Sequence, residues 1–200
     1  MKRLLILYTG MALVISFLSA DCFAAGFTRD AIEFEARLLM NRMEITRDVS
    51  YELKTRLKTA LEDPALSEVI DGRGVGAVFA YSSGEGGVFV KYMEGDGLIS
   101  FVGGRQAAPV LLSSLGVGAM IGGSAQWGIG LVIGRVDEEN FGGRYKGGVR
   151  NATAWEVATG AIMYFSRTYG EETQEIYIIS TGRGLSADVG GVIMSITPAW

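Results

Sequence analysis

Hydrophobic periodicity changes once along this chain. From residue 28 to residue 70 apolar side chains recur at helical spacing. Val49, Leu53, Leu57 and the pair Ala60 and Leu61 draw one stripe, with Arg and Glu on the other faces. Asp30 can cap the start, with Glu33 three residues on. Asp63-Pro64 interrupts the pattern and sets Pro64 at the first position of a short second helix, which Asp71-Gly72 closes. The polar face carries charges of both signs, as a solvated outer face does.

After Gly72 the period is two. Val75, Ala77, Phe79 and Tyr81 alternate with Gly74, Gly76, Val78 and Ala80. A turn at 82–87 leads to a strand at 88–93, and Gly95-Asp96-Gly97 turns into a strand at 98–102. Further strands are expected at 157–166, 175–180 and 187–196. Short strands at regular intervals with turn signals between them predict a largely antiparallel sheet.

Between Arg105 and Arg135 the chain carries no charge and repeats one pattern. Gly116-Val117-Gly118-Ala119-Met120-Ile121-Gly122 is followed by Gly128-Ile129-Gly130-Leu131-Val132-Ile133-Gly134. Alternation puts Leu115, Val117, Ala119 and Ile121 on one face with Trp127, Ile129, Leu131 and Ile133. Mostly glycine occupies the other. A turn through Gly123-Ser124-Ala125 joins the halves as a hairpin, pairing Ile121 with Trp127 and Val117 with Leu131. Glycine weakens a strand. So bare a face implies close approach by the N-terminal helix, a second sheet or a lipid chain. A membrane helix competes, because the segment exceeds the roughly 20 residues needed and has small-xxx-small spacing. Pro109, Ser113, Ser114, Ser124, Gln126 and the strict alternation oppose it.

Composition narrows the class. The chain has 200 residues, 29 glycines, 3 prolines and a formal net charge of −4, which fits one ordered domain. It lacks the basic excess of a nucleic-acid binder. Lys2 and Arg3, an apolar run at 4–18 and small residues at 20–25 have the layout of a secretory signal peptide. Cys22-Phe23-Ala24 or Phe23-Ala24-Ala25 presents the cleavage site. An uncleaved anchor is the alternative, and Asp21 disfavours lipidation at Cys22. Cleavage after Ala24 removes the single cysteine, so no disulfide forms. The expected division is a signal peptide at 1–25, a helical region at 26–71 and a glycine-rich β domain at 72–200, the last two forming one compact unit. The fold class is α+β, an N-terminal helix or helix pair packed on a mostly antiparallel sheet or barrel-like sandwich. The expected location is the periplasm or outer-membrane periphery of a Gram-negative bacterium.

Chemistry is sparse. The chain has no histidine, which removes Ser-His-Asp and Cys-His catalysis, histidine bases and most zinc sites. Asp137-Glu138-Glu139 and Glu171-Glu172 are close acidic clusters, but each sits among turn-like residues. Gly72-Arg73-Gly74-Val75-Gly76 lacks the third glycine of a dinucleotide site, and no phosphate-binding loop occurs. Residues 142–148 read as a flexible basic loop able to touch an anion. No enzyme activity, cofactor or metal is expected.

Two blocks resemble the SYLF domain family, the lipid-binding or yeast actin-binding SYLF domain. Pro109 and Gly118-Ala119-Met120-Ile121-Gly122-Gly123-Ser124, followed by Leu131-Val132-Ile133, are similar to its central block. Tyr177 and Ser180, followed by Gly184-Leu185-Ser186-Ala187-Asp188-Val189, resemble its closing block. Met120 and Ser124 stand where the family often carries glutamine, and Ser186 where an aromatic is common, which marks a divergent exported bacterial member. The resemblance implies a non-enzymatic domain whose partner is an anionic phospholipid or a membrane surface. Arg105, Arg135, Arg144, Lys146, Arg150 and Arg183 are the cations nearest the strand ends and the candidate lipid contacts. A small outer-membrane β-barrel is the alternative, supported by the strand count and the terminal Trp200 and opposed by Pro198 and the helical start. A structural or partner-binding periplasmic domain is the other.

Overall fold

The computed structural model describes residues 26–86, 90–104, 106–149, 162–169 and 172–200. The expected signal peptide, Arg105 and Arg150 lie outside them. Among the described residues three helices come first: α1 (Arg29–Arg42), α2 (Arg47–Glu62) and α3 (Pro64–Arg73). The Val49, Leu53, Leu57, Ala60 and Leu61 stripe is buried on α2 as its spacing predicts. Asp63 caps α3, its carboxylate accepting from the backbone N–H of Ala65 and of Leu66 at 3.0 Å each, with Pro64 opening the helix.

Three helix expectations are corrected. Thr28, not Asp30, caps α1, its hydroxyl accepting from the Ala31 N–H at 3.3 Å. Asp30 sits in the first turn, where its charge favours the helix dipole. The chain also reverses after Arg42, where Glu44 takes φ 54°. Unbroken from Arg29 to Glu62, the helix would be about 50 Å long. A 12-residue strand tilted as in a barrel covers only about 30 Å. The reversal lets α1 and α2 both lie on the same sheet. Finally, α3 runs to Arg73 and stops at Gly74 with φ 71°.

Six strands of the described residues follow: β1 (Val75–Gly86), β2 (Val90–Phe101), β3 (Ala108–Ile133), β4 (Gly143–Val149), β5 (Ile162–Tyr169) and β6 (Glu172–Pro198). Every pairing between these strands is antiparallel. The long strands β3 and β6 pair with each other from Val110↔Pro198 to Ile133↔Glu175. On its other edge the first arm of β3 pairs with β2 and its second arm with β1. β6 repeats the arrangement, its first arm on β5 and its second on β4. With β1 on β2 and β4 on β5, the ring closes. Six strands, two of them used twice, make an eight-stave barrel, and the chain follows one plan twice: a strand pair, then one long strand. Closure removes the exposed edges that invite association.

This topology overturns the expected hairpin. The two arms of β3 do not pair with each other, because the β1–β2 pair lies between them. Val117 faces Val90, and Leu131 faces Val78 and Tyr177. Gly95-Asp96-Gly97 is not a turn but the middle of β2. There a Cβ on Gly95 would stand 2.5 Å from the Ser82 carbonyl oxygen, and one on Gly97 2.6 Å from that of Ala80. The strands expected at 175–180 and 187–196 are one strand, β6. The expected loop at 142–148 is largely β4, with Tyr145 inside and Arg144 and Lys146 outside. Of the strand expected at 157–166, the described residues 162–166 belong to β5.

Two cores hold the molecule. Inside the barrel Phe79, Tyr81, Phe101, Phe141, Tyr145 and Phe165 pack with aliphatic side chains from the strands. Outside it, the stripes of the helices cover Val78, Ala80, Ile129, Leu131, Ile133, Tyr177 and Ile179 on β1, the second arm of β3 and the first arm of β6. On the second arm of β3 the bulky face of the glycine-rich segment is thus the one that meets the helices, and the bare face points into the barrel. Gly128 and Gly130 lie beneath the rings of their cross-strand partners, Tyr81 and Phe79, and a Cβ on either would collide with the ring. At these two positions the close neighbour is neither the protein's helix nor a lipid but its own first strand.

Candidate functional site

The helices cover the seam where the second arm of β3 meets the first arm of β6. The opposite seam, between the first arm of β3 and the second arm of β6, is bare. Alternation there turns Val110 and Leu112 inward and Leu111, Ser113 and Leu115 outward. Tyr92 (47%), Leu111 (48%), Leu115 (54%) and Ile193 (44%) are about half exposed. The register sets them in rows across four strands. Tyr92, Leu115, Ile193 and Lys146 form one row, Glu94, Ser113, Ser195 and Arg144 the next, and Asp96, Leu111 and Thr197 a third. Apolar residues thus line the seam, with two exposed cations on the β4 flank and two exposed carboxylates on the β2 flank. Successive staves of an eight-stave barrel turn by about 45°, so β2 and β4 look about 135° apart.

Of the six candidate cations the structure brings Arg144 and Lys146 together on β4. Arg135 is exposed in the segment after β3, next to Gly134, which bridges to Val75 near the end of α3. Arg183 stands opposite Ala125 in the long ladder. The two blocks that carry the family resemblance lie side by side, Gly118 opposite Asp188, Ala119 opposite Ala187 and Ile121 opposite Leu185. Gly122, Gly123, Ser124 and Gly184 belong to the same two strands, and Pro109 faces Leu98 at the start of β3. Tyr177 is buried under the helices, edge-on to Tyr164 at 5.3 Å. Ser180 accepts from the Gln126 amide at 3.3 Å, and Gln126 Oε1 accepts from the Tyr81 hydroxyl at 3.3 Å. Sequence reading singled out Ser180 but not these two partners, which reach it from other strands.

One end of the barrel is plugged. The Tyr145 hydroxyl lies 2.7 Å from the Phe141 carbonyl and 2.9 Å from Gln174 Oε1. Arg167 stacks over the Tyr145 ring at 4.9 Å, donates to Gln174 at 2.9 Å and reaches the carbonyls of Asn140 and Gly142. Burial pushes the Tyr145 hydroxyl up to about 12, against the smaller opposing effect of Arg167. Asp137 accepts from the backbone N–H of Glu139 and Asn140, so it shapes a turn. Among the described residues no group of three or more acidic or cysteine ligands could hold a metal.

Toward the other end, near the β1–β2 connection, the interior holds a cavity of about 30 Å³. That is room for a water or an ion and not for an acyl chain. Among the described residues the inward face is an apolar, aromatic core, while the outward face carries charges, the helices and the half-exposed apolar seam. A membrane-spanning barrel needs an apolar band outside and a polar lumen. No helix of the described residues is long and apolar enough to cross a membrane, and the uncharged segment proposed for one is strand β3.

No protein-family model and no curated protein matches this chain. Among solved structures it is similar to the virulence-associated protein VapD from the intracellular pathogen Rhodococcus equi, with TM-score 0.35 and 10% identity over 61% of this chain and 99% of that one. It is also similar to a beta-barrel-like protein from Brucella abortus, with TM-score 0.45 and 13% identity over 88% of this chain and 97% of that one. At these scores neither likeness bears on function.

Proposed function

We propose that this chain is an exported, non-enzymatic envelope protein that engages a phospholipid membrane surface with the outside of its barrel. The contact is the bare seam of Leu111, Leu115 and Ile193 with Arg144 and Lys146 beside it. The observation that carries this reading is that half-exposed apolar row, set next to two cations and opposite the seam that the helices bury. Tilting the barrel toward β4 presents the cations to an anionic surface and turns Glu94 and Asp96 away. Completing the burial of three half-exposed aliphatic side chains contributes about 1 kcal/mol each. Each cation near an anionic leaflet adds about 1 kcal/mol. The total, about 5 kcal/mol, suits reversible peripheral association. The SYLF resemblance implies the same partner class, and the signal-peptide layout supports export to the periplasm or outer-membrane periphery.

Flotation with vesicles of phosphatidylglycerol and phosphatidylethanolamine tests the proposal. The protein should float at low salt, less at high salt, and much less as Leu115→Asp or Lys146→Glu. Failure of the parent protein to float with anionic vesicles at low salt refutes it.

A further inference from the structure

Three of the chain's eight methionines line the interior cavity, each from a different strand: Met93 on β2, Met163 on β5 and Met194 on β6. Met93 and Met194 flank Ser114 in one cross-strand row, and Met163 comes from the far wall, opposite Ile178. We propose that this cavity is a site for one soft monovalent cation of the Cu(I) and Ag(I) class, held by the three thioethers.

Size supports an ion. About 30 Å³ admits a single small guest and no organic ligand of ordinary size. Donor chemistry narrows the class. Carboxylates, which hard cations need, are absent from the described lining, and the chain has no imidazole to offer zinc. Thioethers select soft metals such as Cu(I). Tyr81 and Phe165 line the same wall, and a ring face turned to the guest would offset part of the cost of burying a positive charge.

Packing alone is a weaker account. Methionine serves cores as a flexible gap-filler, yet here the gap stays open. Ser114, between Met93 and Met194 in the row, keeps it so, while Gly116 is held bare by Val192, whose Cγ2 would stand 3.2 Å from a Cβ there. A bound water is a poorer match, since it needs two to four polar partners, and of the polar side chains in the wall the Tyr81 hydroxyl and the Gln126 amide already bond to each other and to Ser180, which leaves Ser114.

The test is an Ag(I) titration of the full chain in a Cys22→Ser background, so that no thiol competes, followed by native mass spectrometry and calorimetry. One Ag(I) per chain is expected, with Cu(I) under anaerobic reductant displacing it. Met93→Leu, Met163→Leu and Met194→Leu conserve side-chain volume. Each should weaken binding about 10-fold or more, the least that losing one supporting group costs a metal site. Met40→Leu, in the helical core, should bind as the parent does. Absence of saturable one-to-one binding overturns the proposal. So does equal binding by the triple Leu variant when its circular dichroism matches the parent's. Either result leaves vesicle flotation untouched, because the seam and the cavity share no side chain.

Discussion

Gly130→Ala is predicted to destabilise the protein although alanine is the better strand residue. The added Cβ would run into the Phe79 ring, which lies across Gly130 from the neighbouring strand. That ring cannot simply swing away. It is fully buried, with Tyr81 at 6.2 Å and Phe141 at 6.3 Å between ring centroids. Forcing extra volume into so dense a core costs about 1–3 kcal/mol. In a domain of this size that lowers Tm by roughly 2–4 °C per kcal/mol. The control is Gly84→Ala on β1, the strand that carries Phe79, where a new Cβ meets nothing within 4 Å. There the loss of unfolded-state entropy should stabilise by about 0.4–1 kcal/mol. Urea denaturation measures both, and the midpoint should fall for Gly130→Ala and rise for Gly84→Ala at unchanged slope. Adding Phe79→Leu should relieve the clash, giving a coupling of about 0.5–3 kcal/mol in a double-mutant cycle. If Gly130→Ala matched Gly84→Ala in stability, the bare glycine face would not be held open by the aromatic rings, and the barrel interior drawn above would be wrong.

Other expectations follow from the same structure. Asp63→Ala removes the cap of α3 and should cost about 1 kcal/mol in the same denaturation assay. Tyr145 should ionise only near 12, against an ordinary 10.0. Because the folded state favours the protonated phenol, that contribution to stability is complete below pH 10 and declines as pH rises toward 12. Ultraviolet titration of wild type against Tyr145→Phe, with unfolding followed over the same range, checks both the late ionisation and the loss.

The candidate surface was only partly legible beforehand. In sequence Arg144 and Lys146 are cations near strand ends, within a segment whose Gly142, Gly143, Gly147 and Gly148 predict a flexible loop. In the structure they alternate with Tyr145, whose burial anchors β4. A Cβ on Gly147 would strike the backbone of β5, so that glycine marks crowding and not slack. Leu111 and Leu115 belong in sequence to the uncharged segment between Arg105 and Arg135. Their exposure depends on the helices covering the other arm of β3, which nothing near them in sequence records.

Features carried by neighbours along the chain could be read directly. The Asp63-Pro64 helix start, the stripe on α2, the shift to period two after Gly72 and the poverty of catalytic groups all depend on residues within a turn or two. Assignment of each strand's partner does not. Alternation says which residues share a face, yet it is equally satisfied by a local hairpin and by a 26-residue strand whose arms pair with β1, β2 and β6. Only closure of the barrel chose between them, by pairing every long strand on both sides. That choice also turned Gly128 and Gly130 toward Tyr81 and Phe79 and the bulky face of the second arm of β3 toward the helices. It left the opposite seam outside and brought three distant methionines to one cavity.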